Sequence, residues 1–181
     1  MLEQEIAMDV DDVCAKLQEA WLAQYNKDWD DDLKSEDIRT WEIEKYVKPQ
    51  CNYQIFHYLD DPHLYDKVQP YPGALDGVRK LRKMGYRVVF VTSCPIVTAG
   101  RKFFWLKEHG FAPTEKDYDE NRQKSRLNLP YMLDDRYENV KDFKQKGILF
   151  TRPWNADYTW ANRVSNWDEA VEKFREEINL W

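Results

Sequence analysis

The chain has 181 residues, of which 43% are hydrophobic and only 6 are glycine and 8 proline. This length and composition predict one folded globular domain with room for a small insertion, and they exclude a disordered chain. The formal net charge of −6 argues against a surface that coats polymeric nucleic acid or an anionic membrane. Aromatic residues make up 15% of the chain, more than a small core requires, so we expect some to line a ligand pocket.

Cysteine usage and hydropathy indicate the compartment. The three cysteines, Cys14, Cys51 and Cys94, cannot all pair with one another, and their spacing does not suggest zinc. No apolar stretch precedes the first acidic cluster, and none approaches membrane length, so we expect neither a signal peptide nor a transmembrane helix. The sequence therefore predicts a protein of the reducing cytoplasm.

The first 74 residues predict a strand followed by a helical region. Residues 5–8 read as a short strand with carboxylates at its C-terminal end, and helical spacing of apolar residues begins at Val13. The acidic stretch 28–37 is interpreted as a solvated turn rather than a metal loop. A second helix is predicted over 35–48, ended by Pro49, before an aromatic and proline-broken stretch.

The remainder alternates helices with strands. The predicted elements are a helix over 75–84, a strand over 86–91, a helix over 98–109, a strand over 130–133, a helix over 137–146, a strand over 148–150 and a helix over 167–178. Gly85, Gly110 and Gly147 are each read as the residue that ends a helix. Strands that alternate with helices predict a parallel sheet with helices on both faces, which is an α/β fold.

Polar side chains follow three of these strands. They are Asp9 and Asp11 after the first strand, Thr92 and Ser93 after the second, and Asp134 and Asp135 after a later one. Ligands bind such sheets at the carboxyl ends of the strands, so we expect these groups to converge. Lys124 precedes the last pair, and Lys116 and Arg126 are alternative cations for the same place.

This set of groups suits the chemistry of a phosphoryl group. A carboxylate that attacks an anionic phosphate monoester needs a divalent cation to offset the repulsion, and Mg²⁺ prefers hard oxygen ligands. A hydroxyl of Thr92 or Ser93 can donate to the phosphate oxygens, while Lys124 neutralises developing charge. The spacing of Asp9 and Asp11 allows one carboxylate to attack while the other protonates the leaving oxygen.

Four motifs together resemble the haloacid dehalogenase (HAD) superfamily of phosphohydrolases. They are DVDDV at residues 9–13, VFVTS ending in Ser93, Lys124, and MLDDR at residues 132–136, in the order typical of that family. Within the superfamily the chain most resembles the 5′(3′)-deoxyribonucleotidases, through PYPGALDGVRKL, VTSCPI, KFFWLKEHGF, and LDDRYENV followed by LFTRPWN. The resemblance implies a HAD-like, Rossmann-like core over residues 1–15 and 70–181, with a small helical cap over 16–69 inserted after the first strand.

The resemblance also implies a role for individual residues. Asp9 would be the nucleophile and Asp11 the acid/base. Mg²⁺ would be held by Asp9, the Asp11 carbonyl and Asp135, with Asp134 acting through water. The phosphate would be bound by Thr92, Ser93 and Lys124, with Lys102 beside them. Cap aromatics would stack on the base, and Trp41 matches best, followed by Tyr65 and Phe56; for Trp41 a place in the core is the open alternative.

The expected function is Mg²⁺-dependent hydrolysis of (deoxy)nucleoside monophosphates to nucleoside and phosphate through an aspartyl-phosphate. The alternative keeps this mechanism with another small phosphorylated metabolite, such as a sugar phosphate, or a polynucleotide phosphate end. A signalling receiver module is disfavoured, because in a receiver the phospho-accepting aspartate ends a middle strand. Here the corresponding strand, YRVVFV, is followed by the hydroxyl residues Thr92 and Ser93. A binding protein without catalysis is disfavoured because every expected catalytic group is present. The expected partner is a small nucleotide, with no membrane and no polymeric nucleic acid, and a homodimer is left open.

Overall fold

The computed structural model describes residues 4–120 and 123–178. Within that part of the chain, six strands form one parallel sheet in the order β3-β2-β1-β4-β5-β6. The strands are β1 (Gln4–Asp9), β2 (Tyr86–Thr92), β3 (Tyr118–Glu120), β4 (Tyr131–Asp134), β5 (Lys146–Phe150) and β6 (Arg163–Val164). The helices are α1 (Leu17–Trp29), α2 (Ala74–Lys83), α3 (Ile96–Glu108), α4 (Tyr137–Lys141) and α5 (Trp167–Ile178). The predicted α/β fold is confirmed.

The alternation of side chains along the central strands separates two hydrophobic clusters. Ile6 and Met8 of β1 belong to a large cluster that includes buried residues of α1, α2, α3 and α5. Ala7 belongs to a small cluster with Met132 and Phe143 on the opposite side. Because successive side chains of a strand point to opposite faces, β1 is buried on both, as a central parallel strand should be.

The segment between α1 and α2 departs most from the sequence-based prediction. The helix expected over 35–48 is wrong: the structure has only two short 3₁₀ turns there, Ser35–Asp37 and Ile43–Lys45. Longer 3₁₀ helices follow at Asn52–Asp60 and Pro62–Lys67. The apolar spacing of Ile38 and Trp41 suggested one helical face, but only Ile38 is buried.

This irregular segment is held by tertiary hydrogen bonds instead of by the hydrogen bonds of a helix. The Lys48 ammonium donates to the carbonyl oxygens of Trp29 (2.7 Å) and Asp30 (2.5 Å), and the Lys48 N–H donates to the Tyr25 hydroxyl (2.7 Å). These bonds satisfy polar groups at the end of α1 that would otherwise need water or a cap. The segment is therefore specified by long-range contacts rather than by local helix propensity.

Two further boundaries differ for identifiable reasons. The first helix begins at Leu17 rather than Val13, because Cys14 and Lys16 make backbone hydrogen bonds to Tyr71 and Gln69, each 2.8 Å long. The helix predicted over 137–146 ends at Lys141, and Gly147 lies inside β5, where it pairs with Met132. A Cβ at Gly147 would lie 2.6 Å from the Val140 carbonyl oxygen, so the glycine permits close packing of α4 on β5. The short edge strands β3 and β6 were not predicted.

Gly77 permits a similarly close contact between α2 and α5. A Cβ at this position would lie 2.2 Å from Cε3 of Trp167. The Trp167 ring cannot move aside easily, because it is 3% exposed and its Nε1 donates to the Val13 carbonyl oxygen at 3.0 Å. The two helices therefore depend on the missing side chain for their spacing.

We expect Gly77→Ala to lower the free energy of unfolding by about 1–3 kcal/mol, because overpacking outweighs the better helix propensity of alanine. Urea unfolding measures this directly. The matched control is Gly100→Ala in α3, where an added Cβ meets no atom within 4 Å. That variant should be unchanged or up to about 1 kcal/mol more stable. Equal effects of the two substitutions would contradict the close contact between α2 and α5.

Candidate active site

The ends of three adjacent strands bring the predicted site residues together. Asp9 ends β1, Thr92 ends β2, and Asp134 ends β4. In the sheet register Asp9 pairs with Val91 and Met8 pairs with Leu133, so the three strands end at nearly the same level. The convergence expected from the sequence is therefore present in the structure.

Three buried carboxylates form a compact group at this edge. Asp9, Asp134 and Asp135 each offer an oxygen, and these oxygens lie within 4.8 Å of one another. Burial raises the pKa of Asp9, and the neighbouring Asp134 raises it further. Burial likewise raises the pKa of Asp135, again reinforced by Asp134. Both pKa shifts have the same two causes: burial removes the water that stabilises the charged form, and the neighbouring carboxylate repels that charge.

Lys124 offsets part of this repulsion. Its ammonium group lies 2.6 Å from Oδ1 of Asp9 and 3.1 Å from Oδ2 of Asp134, and the residue is 3% exposed. Burial by itself disfavours the charged ammonium, but attraction to Asp134 and Asp9 outweighs it, and the pKa of Lys124 is raised. The alternative cations Lys116 and Arg126 are both exposed. The geometry favours Lys124.

The carboxylates are oriented by residues that the sequence analysis did not single out. Asp134 accepts hydrogen bonds from the Arg136 N–H (2.8 Å) and the Asn139 amide (3.1 Å). The indole N–H of Trp154 donates to Oδ2 of Asp135 at 2.9 Å, and the Asn155 amide donates to the Asp135 carbonyl oxygen at 2.7 Å. Trp154 and Asn155 lie in the LFTRPWN stretch, whose resemblance to the nucleotidases was the one signal available.

The carboxylate group fits a divalent cation. Three carboxylates face one lysine, so the group keeps an excess of negative charge, and all of its ligand atoms are hard oxygens. The predicted metal ligand from Asp11 is its backbone carbonyl, and its side chain lies outside this group. A contribution of the Asp11 carbonyl stays a prediction.

Asp11 is engaged by two side chains on its other side. It accepts a hydrogen bond from the Tyr65 hydroxyl and forms an ion pair with Lys102. The Lys102 ammonium also donates to the Thr92 hydroxyl at 3.0 Å. Lys102 and Thr92 thus contact each other, and Lys102 lines a small pocket together with Asp11 and the exposed Ser93.

Tyr65 does not occupy the place expected of a base-stacking residue. It is 3% exposed, lies edge-on to Trp105 with ring centroids 5.9 Å apart, and its hydroxyl is bound to Asp11. The expectation that Tyr65 stacks on a base is therefore corrected, because a base can stack only on a ring face that is open to the cavity. Burial, reinforced by the Asp11 charge, raises the pKa of Tyr65, which keeps its hydroxyl a donor.

Asp12, the third aspartate of the DVDDV motif, connects the loop after β1 to α1 and to the region after β5. It adopts a left-handed backbone conformation with φ of 54°. Its carboxylate accepts a hydrogen bond from the Gln18 N–H at 3.2 Å, and its carbonyl accepts one from Nε of Arg152 at 2.5 Å. Burial raises the pKa of Asp12 to about 7. This residue has a structural role that its spacing alone did not reveal.

A cavity of about 380 Å³ opens above the carboxylates. Its lining includes polar and charged groups at the strand ends, which are Asp9, Asp11, Asp12, Ser93, Lys124 and Asp135, and mainly apolar residues from elsewhere in the chain, among them Leu17, Trp21, Trp41, Phe56 and Trp154. Trp41 is 38% exposed, so the alternative of a core residue is wrong. Its ring lies edge-on to that of Trp154, with ring centroids 6.1 Å apart, and the ring centroids of Phe56 and Trp21 are 5.9 Å apart. Charged groups and aromatic rings thus share one cavity.

We expect Lys124→Met to lower the free energy of unfolding of the metal-free protein by about 3–5 kcal/mol, because the buried Asp9 and Asp134 lose their counter-cation. The measurement is urea unfolding in EDTA, repeated with excess Mg²⁺, which should recover part of the loss. The control is Lys116→Met at an exposed position of the same region, where the change should stay within about 0.5 kcal/mol. Equal unfolding midpoints for both variants would contradict a buried ion pair at Lys124.

The fold is shared with solved structures of a predicted phosphatase and of a hydrolase. A predicted phosphatase from Clostridium acetobutylicum superposes with a TM-score of 0.66 at 14% identity, covering 97% of this chain and 100% of that one. A haloacid dehalogenase-like family hydrolase from Xanthomonas campestris gives a TM-score of 0.57 at 15% identity, covering 96% and 91%. These similarities confirm the HAD-like fold predicted from the motifs. Among the helices of the described ranges 4–120 and 123–178, none has the length and apolarity needed to span a membrane.

Sequence comparison identifies the family. The chain is 27% identical over 165 residues to the 5′(3′)-deoxyribonucleotidase of Clostridium acetobutylicum, covering 91% of each protein. It is 29% identical over 174 residues to the 5′(3′)-deoxyribonucleotidase of Bacillus subtilis (strain 168), covering 95% of this chain and 99% of that protein. The family described as 5′ nucleotidase, deoxy (pyrimidine), cytosolic type C protein matches residues 3–176. The chain therefore belongs to this family, which confirms the predicted class of phosphoric monoester hydrolase of the deoxyribonucleotidase type.

Proposed function

We propose that the protein is a Mg²⁺-dependent phosphomonoesterase that hydrolyses deoxynucleoside monophosphates to nucleoside and phosphate. The observation that carries the proposal is the buried group of Asp9, Asp134, Asp135 and Lys124 at the base of a cavity with aromatic walls. Anionic oxygens of a phosphate need cations in the cavity wall, and a base needs aromatic surfaces there. The names of the relatives from Clostridium and Bacillus support the same substrate class.

In the proposed first step Asp9 attacks phosphorus and forms an aspartyl-phosphate. The Val10 N–H (2.7 Å) and the Lys124 ammonium (2.6 Å) both engage Oδ1 of Asp9. Oδ2 is therefore the oxygen that we assign to the attack. Mg²⁺, held by Asp9, Asp135 and the Asp11 carbonyl, with Asp134 acting through water, would offset the repulsion between the carboxylates and the phosphate.

Asp11 is the proposed acid and base. It donates a proton to the leaving oxygen of the nucleoside as the bond to phosphorus breaks, and then accepts one from the water that attacks the aspartyl-phosphate. Phosphate is released and Asp9 regains its carboxylate. Tyr65 and Lys102 hold the Asp11 side chain away from the carboxylate group, toward the cavity that receives the leaving group.

The remaining polar groups are proposed to bind phosphate oxygens. Ser93 and Lys124 line the cavity directly. Thr92 and Lys102 contact each other at 3.0 Å and do not line that cavity, so in this arrangement Lys102 acts on the phosphate mainly by holding Asp11. Groups fixed before the substrate arrives need no reorganisation during the reaction, which favours catalysis.

Residues 16–69 are proposed to form the cap. The two crossings between this segment and the rest of the chain lie side by side, with an antiparallel bridge between Ala15 and Pro70. The cap contributes Trp41 and Phe56 to the cavity wall. These two rings are the proposed platform for the base, and the exposed face of Trp41 makes it the stronger of the two.

The proposed compartment is the cytoplasm, and the proposed partner is the free nucleotide. Cys14, Cys51 and Cys94 are all free of disulfide bonds, as is typical of reducing compartments. The net charge of −6 disfavours polymeric nucleic acid as a substrate. A homodimer is compatible with these features and is tested by measuring molecular mass in solution.

The proposed function is tested with a panel of phosphate esters assayed for phosphate release. With Mg²⁺ present, deoxynucleoside monophosphates should be hydrolysed with higher kcat/KM than sugar phosphates or 5′-phosphorylated oligonucleotides. EDTA should abolish activity and Mg²⁺ should restore it, because the carboxylate group needs a cation before it accepts a phosphate. Preference for a sugar phosphate, or full activity in excess EDTA, would overturn the proposal.

The roles of Asp9 and Asp11 are separated by the leaving group. Asp9→Asn should lower kcat by a factor on the order of 10³ or more with every substrate, since the nucleophile is lost. Asp11→Asn should cost about 10²–10⁴ with a nucleotide, whose alkoxide leaving group needs a proton, and much less with an activated aryl phosphate. Unfolding midpoints check that both variants stay folded. Equal losses on the two substrates would contradict the role given to Asp11.

The platform role of Trp41 predicts a loss that depends on the base. Trp41→Ala should lower kcat/KM for nucleotides by about tenfold or more, because stacking of a base on an aromatic ring contributes roughly 1–3 kcal/mol. Activity toward a small aryl phosphate should be nearly unchanged. The control is Phe104→Ala, which removes an aromatic ring that is 57% exposed on α3, outside the cavity. Similar losses for both variants, or for both substrates, would place the base elsewhere.

A further inference from the structure

The carboxylate of Asp135 is held differently from the other two carboxylates of the buried group. Asp9 and Asp134 both pair with the ammonium group of Lys124, at 2.6 and 3.1 Å. Asp135 is 1% exposed, and within residues 4–120 and 123–178 it forms no ion pair; its Oδ2 instead accepts a hydrogen bond from Nε1 of Trp154 at 2.9 Å. An indole N–H is a neutral donor that cannot accept. Trp154 therefore orients the Asp135 carboxylate without neutralising its charge.

Two consecutive residues fix Asp135 at its backbone and at its side chain. The Asn155 amide donates to the Asp135 carbonyl oxygen at 2.7 Å, while the Trp154 indole donates to the carboxylate. Both residues are buried and lie in the short 3₁₀ turn Pro153–Asn155 that follows β5. This pair of contacts restricts rotation of the Asp135 carboxylate.

The Trp154 side chain is itself held in place. It is 2% exposed, and its ring lies edge-on to that of Trp41, with ring centroids 6.1 Å apart. The turn that carries it is closed by a hydrogen bond of 3.0 Å from the Arg152 N–H to Oδ1 of Asn155. A donor whose own rotamer is fixed by packing can hold a ligand group within a narrow range of directions.

Such a fixed direction matters more for Mg²⁺ than for other hard cations. Mg²⁺ requires near-ideal octahedral geometry, whereas Ca²⁺ accepts a range of coordination numbers and more flexible arrangements. A carboxylate that keeps its full charge and a fixed direction therefore favours Mg²⁺, and the same carboxylate free to rotate favours it less. Removing the partner that orients a metal-binding side chain typically lowers metal affinity by about 10–100-fold.

We propose that Trp154 is a positioning residue for the metal site. Its N–H orients Asp135 and thereby sets both the affinity for Mg²⁺ and the preference for Mg²⁺ over Ca²⁺. This inference rests on the Mg²⁺ site of the proposed function and adds to it a residue that acts on the cation through Asp135. An indole suits this place better than a lysine or arginine, whose positive charge would compete with the cation for the same carboxylate.

The test measures metal binding without turnover. The dissociation constants for Mg²⁺ and for Ca²⁺ are determined by calorimetry on the full chain, with no phosphate ester present. Trp154→Phe should raise the Kd for Mg²⁺ by about 10–100-fold. The Kd for Ca²⁺ should rise by a smaller factor, so that the ratio of the two constants shifts toward Ca²⁺ by about threefold or more. This ratio, measured for two metals on one protein, does not depend on how much of the sample is folded.

A second variant separates the N–H from the packing of the ring. Benzothienylalanine incorporated at position 154 keeps a bicyclic ring of nearly the same shape, and with it the contact to Trp41, but lacks the N–H. It should show the same change in both constants as Trp154→Phe, with an unfolding midpoint in EDTA close to that of the wild type.

Trp160→Phe is the matched control. It makes the same substitution at a tryptophan whose indole donates to the Gly147 carbonyl oxygen at 3.2 Å, outside the cavity. This variant should keep the wild-type constants for both metals. A loss of Mg²⁺ affinity in Trp160→Phe as large as that in Trp154→Phe would contradict a specific role of Trp154.

The remaining outcomes separate the inference from the function on which it rests. An unchanged Kd for Mg²⁺ in the benzothienylalanine variant, or equal losses for Mg²⁺ and Ca²⁺, would overturn the positioning role and leave the nucleotidase function intact. A wild-type protein that binds no Mg²⁺ would overturn the inference together with the proposed metal dependence. A protein that binds Mg²⁺ with the expected dependence on Trp154, but releases no phosphate from nucleotides, would overturn the proposed function alone.

Discussion

The buried ammonium group of Lys124 lies between Asp9 and Asp134, which end adjacent strands of the sheet. Two unit charges 4 Å apart interact by about 4 kcal/mol at an effective dielectric constant of 20, so three carboxylates within reach of one another repel strongly. The lysine compensates for only part of this charge. The central strands can end in carboxylates at one level because the Lys124 ammonium is built into the fold. The negative charge that it leaves uncompensated favours binding of a second cation, such as a metal ion.

The carboxylates keep their positions through residues that follow β5. Asn155 is fully buried and donates to the carbonyl oxygens of both Asp135 and Phe150, which fastens the end of β5 to the loop after β4. Arg152 stacks on the rings of Tyr71 (3.8 Å) and Phe150 (4.3 Å) while it donates to the Asp12 carbonyl. The loop after β1, which follows the proposed nucleophile Asp9, is therefore held from a part of the chain 140 residues away. Such fixed contacts are what keep reactive groups within the narrow geometry that catalysis needs.

The segment between α1 and α2 contributes to the site through two different contacts. Trp41 and Phe56 provide apolar surface above the carboxylates. Tyr65 reaches past them and binds the side chain of Asp11. The first contact involves binding and the second involves the proposed acid, so any displacement of this segment changes both together. In the proposed mechanism, substrate selection and proton transfer are therefore coupled by a single stretch of chain.

The sequence by itself determined the alternation of helices and strands, the parallel sheet, and the carboxylates and hydroxyls at the strand ends. The reason is physical: central parallel strands are continuous apolar runs, so charged residues at their ends stand out, and the family membership agrees with that reading. The tertiary structure alone decided the course of residues 35–48, where local spacing resembled a helix but distant partners such as Tyr25 satisfy the backbone. It also decided that Lys124 rather than Lys116 is buried, and that Trp154 and Asn155 belong to the site. Polar residues acquire such roles from burial and from partners far along the chain, and neither is encoded in local periodicity.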